Sequence, residues 1–372
     1  MKATLLRTSL NQGLSTVGRV VATRGQLPVL ANVLVEASKQ GVVLSATNLE
    51  IGLRVQIGGK VIEEGAITIP AKNLGEFVNA TDAESVELTV EGDKLKIKAG
   101  KSGAVFTGIS ASEFPSFARS TSLRATEGQA LKIKKEIVRE IAREIAYAAA
   151  ADESRPVLTG VRFSVFGDQL VVVATDGFRL SRKAIADSRF KIADPIILPA
   201  RTIQELARIV GESNEGEVEM ATIAENNQVI FACDGVEIVS RVLEGNFPDV
   251  DKIIPSQFKT EVVIERVELE RSLRQAGIFA RENSNIVKFI VHSSRFIVKA
   301  QAAQLGENES EIEIEKEGED GEIAFNYRFV LDFLASVTGE RIVLKINDSL
   351  SPGVWMEEKN KNLIHLIMPV RV

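Results

Sequence analysis

Polar and apolar residues alternate along this chain in short runs, give way to three- and four-residue spacing, and return to alternation, and the cycle occurs three times. Leu27-Pro28-Val29-Leu30 opens an alternating stretch that ends Val42-Val43-Leu44-Ser45-Ala46. Arg155-Pro156-Val157-Leu158 opens a second that ends Leu170-Val171-Val172-Val173-Ala174, and Ile286-Val287-Lys288-Phe289 a third that ends Phe296-Ile297-Val298-Lys299-Ala300. The closing alanines lie roughly a third of the chain apart, which marks an internal repeat.

The period changes at matching places. After Ile67-Thr68-Ile69-Pro70, Ile196-Ile197-Leu198-Pro199 and Ile323-Ala324-Phe325-Asn326, apolar residues take helical spacing: Leu74, Phe77, Val78; Ile203, Leu206, Ala207; Val330, Phe333, Leu334. Each set predicts a short amphipathic helix. Pro70 and Pro199 suit a first helical position and Asn326 an N-cap. Hairpin patterns follow: Val86 to Val90 with Leu95 to Ile97, Val218 to Ile223 with Val229 to Phe231, and Ile342 to Ile346 with Val354 to Met356. A second helix opens each unit through Leu10, Leu14, Val17 and Val21; Val138, Ile141 and Ile145; Leu269, Leu273 and Ala276. The reading is an α+β fold of three repeated domains, 1–121, 122–256 and 257–372, each with two helices packed on antiparallel sheets. Linkers are expected near Ser120 to Glu127 and Pro255 to Thr260.

Composition narrows the function. With 45% hydrophobic and 26% charged residues the chain reads as a soluble globular protein. No apolar run approaches a membrane span and the N-terminus lacks a signal-peptide core, so a cytoplasmic location and no membrane partner are expected. Cys233 is the only cysteine, which excludes an intrachain disulfide and a multi-thiolate metal site; no metal or cofactor is expected. The two histidines, His292 and His365, sit in alternating apolar runs where a structural role is the ordinary one. A net charge of −6 argues against coating nucleic acid by bulk basicity.

Yet every predicted helix carries a basic residue on it or at its end, among them Arg19, Lys72, Arg139, Arg201, Arg274 and Arg328. An acidic chain with helices lining its inside would still present a basic inner surface. Helices packed about 8–10 Å apart leave a hole of only about 7 Å in a ring of six but roughly 24 Å in a ring of twelve. A duplex about 20 Å wide therefore needs two chains.

The chain resembles the bacterial DNA sliding clamps, the beta subunits of DNA polymerase III, over its whole length. The resemblance rests on Leu27-Pro28-Val29-Leu30, Ala174-Thr175-Asp176-Gly177-Phe178-Arg179-Leu180, Phe247-Pro248-Asp249, Phe325-Asn326 with Val330-Leu331-Asp332, and Met368-Pro369-Val370-Arg371-Val372, in that order. It implies a head-to-tail homodimeric ring around duplex DNA, without catalysis and indifferent to base sequence. Its implied partners are the replicative polymerase's catalytic subunit, the clamp loader and other peptide-motif proteins of replication and repair. It implies a peptide pocket between the second and third domains. From the second domain and its linker come Leu158, Thr175, Gly177, Phe178, Arg179, Leu180, Pro248 and Ile253; from the third come Asn326, Phe329, Leu350, Ser351, Ile367, Met368, Pro369, Val370 and Arg371. Lys252 stands where a partner-contacting arginine can occur, and Val372 where a leucine can. For DNA it points to Arg24, Lys72, Arg155 and Arg201, with Asp152 and Glu153 as a departure that would repel phosphate. For the dimer it points to Ile278 and Phe279 meeting Phe106, with Lys98 and Lys101 near that strand and Glu307, Glu309 and Glu311 on the facing segment, the charges setting the orientation. Two rivals stand beside this reading: a hydrolase or transferase using Asp249 with Asp251 or Glu319 with Asp320, and a repeat scaffold that binds only proteins.

Overall fold

The computed structural model describes residues 1–22, 27–117, 131–186, 194–223 and 227–371. The predicted linker Ser120 to Glu127 and the boundary at 121/122 lie outside these residues. The chain forms two compact units, one of Met1–Val138 with Glu205–Val242, the other of Arg139–Gln204 with Leu243–Val372. The middle third of the repeat contributes to both.

Six α-helices occur among the described residues: α1 (Arg7–Val17), α2 (Ala71–Asn79), α3 (Lys135–Glu144), α4 (Ala200–Glu212), α5 (Arg266–Ala280) and α6 (Tyr327–Ser336). They bury the stripes read from the sequence, Leu10, Leu14 and Val17 in α1, Leu269, Leu273 and Ala276 in α5, and Val330, Phe333 and Leu334 in α6. The prolines sit one place earlier than expected. Pro70 and Pro199 end strands Gly65–Pro70 and Ile196–Pro199, paired to Asn32 and Gly160, and the helices begin at the next residue. Proline closes a strand readily because it has no N–H with which to extend the ladder. Asn326 caps α6 as expected, its side chain accepting from the Arg328 N–H at 3.0 Å.

In the first unit a five-stranded sheet runs Lys60–Glu63, Lys2–Leu6, Ser85–Glu91, Lys94–Ala99, Ser102–Thr107. An eight-stranded sheet runs Leu131–Lys134, Glu217–Ile223, Gln228–Cys233, Val236–Arg241, then Ile51–Ile57, Gly41–Thr47, Asn32–Ser38, Gly65–Pro70. Four strands thus come from the second repeat and four from the first, joined where Val239 faces Gly52. The second unit repeats the scheme. Its nine-stranded sheet joins the second repeat to the third where Arg179–Ala186 pairs with Asn360–Ile367, Leu180 facing Leu366. A four-stranded sheet, Gly306–Glu313, Arg295–Ala302, Ile286–His292, Gly321–Asn326, completes it. The strand pairs among the described residues are antiparallel, as short hairpin connections require.

Each internal joint is strapped. Val250 is buried among Val171, Val173, Leu180, Val354 and Leu366, so the segment between the second and third repeats holds strands of both together, with Phe247, Ile254 and Phe258 packed beside it. At the first joint Phe117 packs on Ala221, Ile230 and Val239, with the Arg54 guanidinium 4.6 Å from its ring centre. The sequence reading assigned Phe117 and Val250 no role.

Candidate partner-binding site

The turn Thr175–Arg179 is built by its own side chains. The Asp176 carboxylate accepts from the Phe178 and Arg179 N–H groups at 2.8 and 2.9 Å, and the Thr175 hydroxyl accepts from Gly177 N–H at 3.0 Å and donates to the Arg179 carbonyl at 2.6 Å. Asp and Thr favour such turns because a short polar side chain reaches the backbone two or three residues on. Gly177 has φ +92°, and the Arg155 guanidinium lies where a Cβ would approach to 3.1 Å. Thr47-Asn48-Leu49-Glu50-Ile51, at the matching place in the first unit, makes the same four hydrogen bonds.

Around the second turn the predicted pocket residues divide by exposure. Leu158, Leu180 and Ile367 are buried, while Phe178, at 62% exposure, Ile253, Leu350 and Met368 present apolar surface to solvent. The tail is tied in by its backbone, Met368 N–H donating to the Phe178 carbonyl and Val370 N–H to the Ala324 carbonyl, both at 2.8 Å. Pro369 between them has no donor. The Asp348 carboxylate accepts from the Leu350 and Ser351 N–H groups and the Ser351 hydroxyl, fixing the loop beside the tail. A cavity of about 270 Å3 is lined by Leu350, Val370 and Arg371 together with Lys288, Glu322, Ile323, Ala324 and Ser349. The last five were missed in the sequence; the Ile323-Ala324 run, which the tail joins, was the available signal. Pro248 is exposed and Lys252 pairs with Asp249 at 2.9 Å.

Arg179 is committed to its surroundings. It donates to Asp176, to Asp332 on α6 and to the Tyr147 carbonyl, and its guanidinium sits over the rings of Phe329 and Tyr147 at 4.7 and 5.4 Å. These contacts join the second repeat to the third. Behind them His365 stacks on Phe333 with centroids 5.3 Å apart, its Nδ1 2.9 Å from the Ser181 hydroxyl and 3.1 Å from the Tyr147 hydroxyl. Burial first, then Arg179, lowers His365 to about 3, and burial pushes Tyr147 up to about 12. The imidazole is neutral and structural. His292, by contrast, is an exposed strand end paired with Asp320 at 2.7 Å.

The other predicted residues lie elsewhere. Arg24 is outside the described residues. Lys72 is exposed on α2, 4.0 Å from Glu76, and Arg201 is exposed in the first turn of α4. Arg155 is exposed, with one N–H on the Asp176 carbonyl at 3.0 Å. Arg19 pairs with Glu212 at 2.6 Å. Phe106 lies edge-on to Phe77, centroids 5.9 Å apart, and the adjacent Val105 is the exposed apolar residue of that strand; the sequence reading passed over it. Lys101 is at the exposed hairpin tip, Ile278 is exposed and Phe279 half-buried. Glu307 and Glu309 face solvent on strand Gly306–Glu313, both reached by Lys299. Three carboxylates of the enzymatic rival are engaged as well, Asp249 with Lys252, Asp251 with Arg182, and Asp320 with Lys316 and His292. Among the described residues no group of three or more His, Cys, Asp or Glu could hold a metal, and no helix is long and apolar enough to cross a membrane.

Comparison with known proteins agrees over the full length. The family models for the N-terminal, central and C-terminal domains of the DNA polymerase III beta subunit match residues 1–118, 132–249 and 251–371. The beta sliding clamp of Synechocystis is 31% identical, covering 100% of both chains, and that of Bacillus subtilis 27% identical, again covering 100% of both. The solved DNA polymerase III beta subunit of Thermotoga maritima superposes with TM-score 0.90 at 28% identity, covering 100% of this chain and 99% of that one. That of Pseudomonas aeruginosa gives 0.91 at 27%, covering 100% of each. With each third of the repeat matched in order by its own domain of the family, the chain belongs to the DNA polymerase III beta subunits, the beta sliding clamps.

Proposed function

We propose that the protein is a DNA polymerase processivity factor that works without catalysing a reaction, as a homodimeric ring encircling duplex DNA in the cytoplasm. The observation that carries this is the bookkeeping of sheets. Two sheets join successive repeats within the chain, and the five- and four-stranded sheets are the matching halves of a third, ending in edges Ser102–Thr107 and Gly306–Glu313. A second copy supplies the missing half at each edge, giving six domains and two chains. Unpaired strand edges are adhesive, and closure into a ring removes both.

Duplex DNA is held by topology, so contacts from Arg24, Lys72, Arg155 and Arg201 need only be weak and indifferent to sequence. The exposed Phe178, Ile253, Leu350 and Met368 over buried Leu158 and Leu180 form the dock for a short peptide of the replicative polymerase, the clamp loader and other replication and repair proteins. Methionine suits a site shared by several partners because it adapts its shape. The test is retention on nicked circular DNA after loading by a clamp loader. Protein that stays on the circle and leaves when it is linearised is a clamp; equal retention on both forms sinks the ring, and no retention on either favours the protein scaffold.

A further inference from the structure

We propose that the cavity beside the tail is a second docking point, which takes an aromatic side chain from an extended segment of a partner protein and holds it between Lys288 and Val370. It adds to the dock described above, with which the cavity shares Leu350, Val370 and Arg371, and does not depend on what that dock binds.

The occupant is read from the repeat. In each third, the strand before the second helix lies at a sheet edge and has one residue whose carbonyl accepts from a segment crossing that edge. Thr68 accepts from Ile109 at 3.1 Å, Ile197 from Leu243 at 2.8 Å and Ala324 from Val370 at 2.8 Å. Within the sheets these three residues face Leu34, Arg162 and Lys288. Shortly after Ile109 and Leu243 the chain reads Phe114-Pro115 and Phe247-Pro248, and each ring returns to the position so marked. Phe114 is buried against Leu34, with Ile109 packed beside them. Phe247 lies beside Arg162, whose guanidinium is 5.2 Å from the ring centre. Two repeats thus set an aromatic ring at one point of the fold.

In the third repeat the matching residues Lys288, Ala324 and Val370 all line the cavity of about 270 Å3. Among the described residues no aromatic side chain lines it. An apolar space of about 150 Å3 accepts benzene, so one phenylalanine ring fits. Ile323, Ala324, Leu350 and Val370 supply the apolar wall. Lys288, 2.8 Å from Glu322, stands where Arg162 meets Phe247 and can hold its ammonium against an incoming ring. Arg371, exposed at the cavity, favours an acidic residue close to the aromatic one. The second strap has this chemistry, with Asp249 two residues after Phe247. An extended segment suits the place because the sheet edge aligns its backbone while the cavity takes its side chain.

The test titrates the full chain, its isoleucine, valine and methionine methyl groups labelled for NMR, with a synthetic peptide of residues 244–252, which carries Phe247. The Ile323 and Val370 methyl signals should move and saturate. The same peptide with Phe247→Ala should bind at least about tenfold more weakly, as expected when an aromatic side chain is not covered. Lys288→Ala in the protein should weaken the Phe247 peptide about twofold to fivefold, and equal affinity would overturn the placement beside that lysine. Movement confined to Met368 would put the peptide in the first dock, overturning the second docking point and leaving the first standing. No movement at millimolar peptide, equal binding of the Phe247→Ala peptide, or movement of Ile323 with a duplex oligonucleotide and not with the peptide would each overturn the proposal.

Discussion

Phe117 lies so close over Gly52 that a Cβ on the glycine would come within 2.8 Å of its ring. At the second joint the same two places hold Leu180 and Val250, a larger residue in the strand and a smaller one in the strap. The two joints fill one space in opposite ways, with volume moved between strand and strap.

Gly52→Leu alone should therefore destabilise the first unit by about 1–3 kcal/mol through overpacking. Adding Phe117→Val should restore part of that loss. Urea denaturation of the single and double variants measures it, and a double variant no more stable than Gly52→Leu would mean the two residues do not share the space.

The pocket's tail is tied to the fold by two backbone hydrogen bonds, to Phe178 and Ala324. Deleting residues 368–372 should abolish binding of polymerase- and clamp-loader-derived peptides and also cost about 1–3 kcal/mol, at about 0.5–1.5 kcal/mol for each bond. Calorimetric titration with thermal melting checks both, and unchanged peptide affinity would place the partner site elsewhere.

Ile278, 55% exposed in this chain, should become covered when a second copy closes on α5. Covering a large apolar side chain contributes about 1.5–3 kcal/mol, so Ile278→Ala with Phe279→Ala should raise the dimer dissociation constant more than about tenfold without unfolding the protein. Sedimentation at nanomolar concentration is the measurement, and an unchanged dimer would remove these residues from the interface.

His365 makes stability depend on pH in one direction. Its folded value, about 3, lies below the ordinary 6.5, so the unfolded chain takes up a proton that the folded chain refuses. Stability from this group is present in full above about pH 6.5 and is lost as pH falls toward 3, at up to about 1.4 kcal/mol per unit. His365→Phe, which keeps a ring against Phe333, should flatten that part of the stability profile whatever it does at neutral pH. An unaltered slope would show that the imidazole is protonated in the fold.

Lys72→Ala and Arg201→Ala should shorten residence on circular DNA modestly and equally for unrelated sequences, with a shallower dependence on salt. Binding that discriminates between sequences would contradict their role as phosphate contacts.

Much of this was legible because the repeat states the same grammar three times. Strand alternation, the helical stripes at Leu74, Ile203 and Val330, and the Asn326 cap are local signals, and the structure carries them. Pro70 and Pro199 were misplaced by one residue because proline suits both the end of a strand and the start of a helix, and only pairing to Asn32 and Gly160 decides. Phe117 and Val250 were not legible as straps, since a lone apolar residue in a polar segment shows no period. For the pocket, the turn residues announced themselves through Asp and Thr chemistry, whereas Lys288 and Ser349 reach the cavity only through tertiary placement.

The straps have a mechanical consequence. A segment buried across a joint acts like a splint, and in the proposed ring the internal joints carry one each, through Phe117 and Val250. The proposed seams between copies have exposed lysines and glutamates in place of the apolar faces beneath those straps, and would be the compliant members of the ring. Under load, strain collects where stiffness is lowest. Torsion applied anywhere on the proposed ring would therefore part it at a seam of opposed charges and leave the aromatic and aliphatic splints intact.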